Sequence, residues 1–125
     1  MGLNDRKLAN GMEELKTNCE YVVDQLISKG KMVMLLTPTP SVHSNEYYPN
    51  RIYHTNEVIE ILRDIADSRK ILLVDNYKYI MEYLAKNQLV IDDIIYGDGC
   101  INDGLHPADH VQKLMFQNLI ETLQI

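Results

Sequence analysis

The sequence has no run of basic residues, no long hydrophobic run, few cysteines and no glycine-rich phosphate loop. Each absence removes a class of function. Twelve Lys and Arg stand against eighteen Asp and Glu, for a formal charge of −6. Nucleic-acid binders cluster positive charge to replace counterions at the phosphates, so a nucleic-acid partner is excluded. The longest apolar run, Met32 to Leu36, is far too short to cross a bilayer, so no membrane span is expected. Cys19 and Cys100 stand in no metal-binding or redox spacing. They read as two thiols in a reducing setting, with a disulfide left open. Polar Asn4, Asp5, Arg6 and Lys7 follow Met1 almost at once, so no leader peptide reads from these residues and a cytoplasmic location is the default expectation.

What is present suits a globular domain. Hydrophobic residues make up 46% and charged residues 24% of the 125, which argues against long disordered stretches. From Leu8 to Ser28, the apolar positions Met12, Leu15, Cys19, Val22, Val23, Leu26 and Ile27 fall at helical spacing, and Gly30 follows where a left-handed cap is wanted. Lys31 to Leu36 is a short apolar run of the kind buried on both faces of a parallel sheet. Thr37-Pro-Thr-Pro40 stops it. Residues 41–54 lack periodicity and form a long loop, whose His43, Tyr47 and Tyr48 either line a substrate groove or pack on the surface.

Thr55 or Asn56 caps a second helix that turns Val58, Ile59, Ile61, Leu62 and Ile65 inward. Ile71 to Val74 is a second buried strand ending at Asp75, and Tyr77 to Lys86 a third helix. Leu89 to Tyr96 reads either as a short strand or as an extended connection. Residues 97–104 are a turn-rich loop, and Pro107 opens a last helix striped by Val111, Leu114, Met115, Leu119, Ile120 and Leu123. The pattern predicts one α/β unit, with residues 32–36 and 71–74 as adjacent parallel strands joined by a helical crossover.

Two strings bear on chemistry. In Asp103-Gly-Leu-His106-Pro107, a histidine three residues after an aspartate can be held at Nδ1 by the carboxylate, leaving Nε2 to take a proton. Gly104 lets the backbone turn tightly enough for the two to meet. In Gly2-Leu-Asn4-Asp5, the asparagine can offer an amide N–H to a developing oxyanion, or can simply cap a helix. His106 and His110 are four apart, a spacing that can serve a metal on a helix. Pro107 and the lack of a following glutamate speak against it.

In this order, Gly-x-Asn-Asp and Asp-x-x-His-Pro resemble two blocks of the SGNH/GDSL hydrolases, and the resemblance covers essentially the whole chain. It implies a three-layer α/β/α parallel sheet of flavodoxin-like type with its N-terminal strands missing, so that residues 1–125 form the C-terminal portion of one such domain. It implies Asn4 as an oxyanion-hole donor, His106 as general base and Asp103 as its orienting acid, with no cofactor. The family's nucleophile is a serine in a Gly-Asp-Ser block, and no such block is present. Ser28, Ser41, Ser44 and Ser68 all lie in other contexts. The expectation is therefore an ester hydrolase, acting on an acyl or acetyl ester and possibly on a carbohydrate. A second polypeptide segment would complete the sheet at the free edge of the 32–36 strand and supply the serine. The alternative is a non-catalytic, structural or carbohydrate-binding derivative within a larger assembly.

Overall fold

The structure is a computed structural model and describes residues 2–125. Among the described residues five helices and two strands follow in the order α1 (Gly11–Ser28), β1 (Met34–Leu36), α2 (His43–Glu46), α3 (Thr55–Arg69), β2 (Leu72–Val74), α4 (Asn76–Lys86) and α5 (Asp109–Leu123). Single 3-10 turns occur at Asn4–Lys7 and Ile91–Asp93. The residues fall into two compact units, Met1–Thr37 with Pro49–Leu73, and Pro38–Tyr48 with Val74–Ile125. No helix among the described residues is long and apolar enough to cross a membrane.

In the first unit, α1 packs on α3. Leu15, Cys19 and Val23 recur every four residues along α1 and meet Val58, Leu62 and Ile65 of α3 in one apolar cluster. Burial raises the Cys19 thiol pKa, which makes it a core side chain rather than a reactive one. The carboxyl end of α1 closes as its sequence demands. Gly30 adopts φ +70°, and the Lys31 N–H reaches back to the Leu26 carbonyl at 3.0 Å. Arg69 ties the two helices together on the outside, donating from Nε to Asp24 Oδ1 at 3.0 Å and from Nη2 to Asp24 Oδ2 at 3.1 Å.

The strand pair corrects the expected architecture. β1 and β2 lie side by side and parallel, with α3 as the crossover, as the two apolar runs predict. The three-layer α/β/α sheet is absent: the fold is mostly helical, and its sheet has two strands of three residues each. Nor are the strands buried on both faces. Val33, Leu35 and Ile71 pack on the α1–α3 cluster, whereas Leu36 and Leu72 are 47% and 41% exposed. Side chains alternate across a strand, so a continuous apolar run fills both faces with the same residue types whether or not a second layer covers the outer one.

In the second unit, Ile80 and Leu84 of α4 pack against Val111 and Leu114 of α5, with Ile94 between the two helices in sequence. Asp75, at the end of the second run, caps α4 by accepting the Lys78 N–H at 3.1 Å. Deep in the α4–α5 contact, Asn118 Nδ2 donates to Asn76 Oδ1 at 3.0 Å, which satisfies two buried amides. Leu89 to Tyr96 forms no strand, and its centre winds into the 3-10 turn. The last helix starts at Asp109, two residues beyond Pro107, because Ala108 is extended, with ψ 176°, and serves as its N-cap, its N–H tied to the Ile95 carbonyl at 3.0 Å. Ile80 has no exposed surface at all. Ile80→Ala should therefore cost about 2–5 kcal/mol of unfolding free energy by chemical denaturation, from lost burial plus the cavity left behind.

Candidate functional site

The loop that carries Asp103 and His106 is built from its glycines. Gly97, Gly99 and Gly104 all take positive φ, and Gly97 N–H donates to Asn102 Oδ1 at 2.8 Å. Gly104 sits at φ +73°, and a Cβ there would fall inside contact distance of the Val42 side chain and 3.0 Å from the Tyr96 hydroxyl. Only a residue without a side chain lets the loop close against α2. The Gly104 carbonyl accepts the Val42 N–H at 3.0 Å, and Asn45 Nδ2 donates to the Asp103 carbonyl at 3.4 Å.

Within that turn the two side chains meet. Asp103 Oδ1 accepts the backbone N–H groups of Leu105 and His106 at 3.0 and 2.8 Å. Asp103 Oδ2 lies 2.6 Å from His106 Nδ1. Chiefly through the His106 backbone N–H, then the imidazole contact and the Leu105 N–H, the carboxyl pKa is held down at about 2. An ionised carboxylate can only accept, so Nδ1 is the donor and the neutral ring carries its lone pair on Nε2. The ring is 62% exposed and Nε2 has no partner among the described residues. This arrangement can orient an imidazole and hold its tautomer while Nε2 exchanges a proton with a group in solvent or on a substrate.

A search of protein-family models, curated proteins and solved structures found no match to the chain. The chemistry of the site therefore rests on its own geometry.

The remaining sequence candidates are placed as follows. Asn4 is exposed in the first unit, on the 3-10 turn Asn4–Lys7, and its side chain makes no hydrogen bond among the described residues. Its neighbour Asp5 does the local structural work, taking the Gly2 N–H on Oδ2 at 3.0 Å. His110 is on α5 and meets Tyr83 through Nε2 at 3.2 Å. Among the described residues no group of three His, Cys, Asp or Glu is arranged to hold a metal. His43 and Tyr47 line a groove, whereas Tyr48 is 55% exposed outside it. Among the described residues no serine hydrogen-bonds His106; Ser41 Oγ donates instead to Glu46 Oε2 at 3.4 Å.

Two residues escaped the sequence reading. Arg6 is fully buried, donating from Nε to the Leu3 carbonyl at 3.0 Å and from Nη1 to Thr55 Oγ1 at 2.8 Å. Its neighbours in sequence are polar, so no pattern signals its burial. Asn45 supports the Asp103 loop from 58 positions away in the chain. Only the fold brings the two together.

The ionised state of Asp103 has a measurable consequence. Its folded pKa lies below the ordinary 3.8, so its contribution to the loop is complete above that value and is lost as pH falls toward 2. The carboxyl carbon of Asp103, followed by NMR, should titrate at about 2, and the Asp103–His106 contact should vanish only there. A midpoint near 4 would mean that the turn does not hold the carboxylate in solution.

Proposed function

We propose that this chain carries the general-base end of an ester hydrolase of the SGNH/GDSL kind, with a serine nucleophile supplied from outside these 125 residues. One observation supports the reading above others: the 2.6 Å contact that leaves His106 with an outward, lone-pair-bearing Nε2. In the proposed reaction, Nε2 takes the proton of the serine hydroxyl as its oxygen attacks the ester carbonyl. Asp103 remains ionised and stabilises the imidazolium that forms. The proton then passes from Nε2 to the departing alcohol oxygen, leaving an acyl-serine. A water molecule, deprotonated at the same Nε2, then attacks the acyl carbonyl, and the proton passes from Nε2 to the departing serine oxygen as the acid is released. The substrate is an acyl or acetyl ester, and the polar loop 41–54 fits a carbohydrate ester.

The test locates the nucleophile. Residues 1–125 purified alone should hydrolyse a short alkyl ester no faster than the His106→Ala variant. Combined with the polypeptide that supplies the serine, the chain should turn the ester over, and a fluorophosphonate should mark that serine. Turnover by the isolated chain that disappears in His106→Ala would place the nucleophile inside it and overturn the external serine. Phosphonylation of no serine in the combined material would favour the non-catalytic alternative.

Asn4 is proposed separately as the oxyanion donor, on the Gly-x-Asn-Asp resemblance. In the active combination, Asn4→Ala should lower kcat by about 10²–10³ with KM nearly unchanged. Because the side chain is exposed and unbonded, unfolding free energy should move by less than about 0.5 kcal/mol. An unchanged kcat removes Asn4 from the site.

A further inference from the structure

Three glycines of the chain follow an aspartate or an asparagine: Asn10-Gly11, Asp98-Gly99 and Asp103-Gly104. In such a pair the glycine backbone nitrogen can attack the preceding side-chain carbonyl carbon, because glycine has no Cβ to hinder the approach. The attack closes a five-membered succinimide. It needs a side chain free to swing back along its own backbone and a following N–H that no carbonyl engages. Asn10 leads into α1: its carbonyl accepts the Glu14 N–H at 3.0 Å, and its Nδ2 donates to Glu14 Oε1. The Gly11 N–H is engaged by the Leu8 carbonyl at 3.0 Å. Asp103 is held more firmly, its two oxygens accepting from the Leu105 N–H, the His106 N–H and the His106 ring at 3.0, 2.8 and 2.6 Å. A carboxylate also resists attack until it is protonated. With its pKa held at about 2 against the ordinary 3.8, the neutral form of Asp103 is more than about tenfold rarer. Asp98 has none of these restraints. It is exposed, and neither its carboxyl group nor the Gly99 N–H makes a hydrogen bond among the described residues. The backbone on either side is anchored to α5, the Asp98 carbonyl accepting the Asp109 N–H at 2.8 Å and the Gly99 carbonyl accepting from Gln112 Nε2 at 3.3 Å.

We infer that Asp98-Gly99 is a modification site, at which the folded chain isomerises spontaneously to isoaspartate. The Gly99 nitrogen bonds to Asp98 Cγ, and the nitrogen's proton leaves with the carboxyl hydroxyl as water. A second water then opens the ring. When it breaks the bond between the Gly99 nitrogen and the Asp98 α-carbonyl carbon, the chain runs on through Cβ and Cγ and the α-carboxylate is freed. Mass is unchanged, and no oxidant or reductant takes part. The main chain gains one carbon between residues 98 and 99. That carbon falls inside the loop closed by the Gly97 N–H and Asn102 Oδ1 at 2.8 Å, directly before Asp103. None of this chemistry uses His106 or the ester-hydrolase reading.

The test ages the full chain, folded and in denaturant, in the same mildly acidic buffer. Isoaspartate is located by peptide mapping with electron-transfer fragmentation, and its total is counted by methyl transfer from an isoaspartyl carboxyl methyltransferase. In the folded chain, isoaspartate should form at residue 98 at least about tenfold faster than at 103, while Asn10 persists. In denaturant the restraints are gone, so 98 and 103 should react within about threefold of each other and Asn10 should deamidate. Asp98→Glu should remove methyl acceptance from the aged, folded chain, because glutamate would have to close a less favourable six-membered ring. The exposed, unbonded side chain makes this variant harmless to the fold. A folded chain that forms isoaspartate at 103, or loses Asn10, as fast as the denatured chain would overturn the proposal. So would a rate at 98 more than about tenfold below that in denaturant, or undiminished methyl acceptance in folded Asp98→Glu.

Discussion

On the proposed ester-hydrolase reading, His106→Ala is expected to lower kcat for ester cleavage by about 10⁴–10⁶-fold when the chain is combined with a polypeptide that supplies the serine, with little change in KM. The magnitude follows from what the imidazole does. Without it, no group at the site accepts the serine proton in the transition state, and the same group is missing again when the leaving alcohol and the hydrolytic water need proton transfer. Asp103→Asn separates orientation from charge. An asparagine Oδ1 can keep the two backbone bonds from Leu105 and His106, so the turn survives. Its amide N–H₂, however, now faces Nδ1, which must become the acceptor, and the proton moves to Nε2. The ring is then in the wrong tautomer to act as a base, and a loss of about 10⁴-fold is expected at an unchanged melting temperature. Asp103→Ala should lose as much activity and also loosen the loop. The experiment is steady-state kinetics on a short alkyl ester, with thermal melts of each variant. If Asp103→Asn retains more than about a tenth of the activity, the aspartate is a turn residue and the base reading fails.

The parts of the molecule that were legible in the sequence are those set by local rules. Gly30 closes α1 because a left-handed cap is a matter of a few residues. The spacing of Leu15, Cys19 and Val23 fixes the buried face of α1. Asp103 and His106 meet because three residues and one glycine are enough to bring them together. What failed was a statement about layers. Leu36 and Leu72 read as core because they are apolar and lie in apolar runs, yet both are substantially exposed, and nothing in a three-residue strand records which elements cover it. Long-range partners were equally silent. Arg6 is buried against Thr55, and α2 supports the Asp103 loop, through contacts that neither charge pattern nor periodicity encodes. The displaced start of α5 belongs here too, since Ala108 is held extended where its N–H meets a carbonyl thirteen residues earlier.

Gly104→Ala is expected to destabilise the second unit by about 2–5 kcal/mol and to release the Asp103–His106 turn. Two costs add. At φ +73° an L-residue with a Cβ is strained by about 1–2 kcal/mol. The new methyl also presses into Val42, which is itself buried, and an overpacked site of this kind costs about 1–3 kcal/mol. The loop can relieve the pressure only by moving away from α2, which breaks the Val42 N–H bond to the Gly104 carbonyl and shifts Asp103 from His106. A double-mutant cycle divides the two terms. Val42→Ala removes the obstructing methyls, so the Gly104→Ala, Val42→Ala pair should be less destabilised than the sum of the singles by about 1 kcal/mol or more, while the backbone strain remains. The functional consequence is read from the carboxylate. With the turn released, Asp103 loses the donors that hold it down, and its titration should rise from about 2 toward the ordinary aspartate value in Gly104→Ala and partly return in the double variant. Denaturant melts supply the stability terms, and carboxyl-carbon NMR supplies the titration. A Gly104→Ala protein within about 0.5 kcal/mol of the parent, with Asp103 still titrating at about 2, would show that the turn does not depend on this glycine.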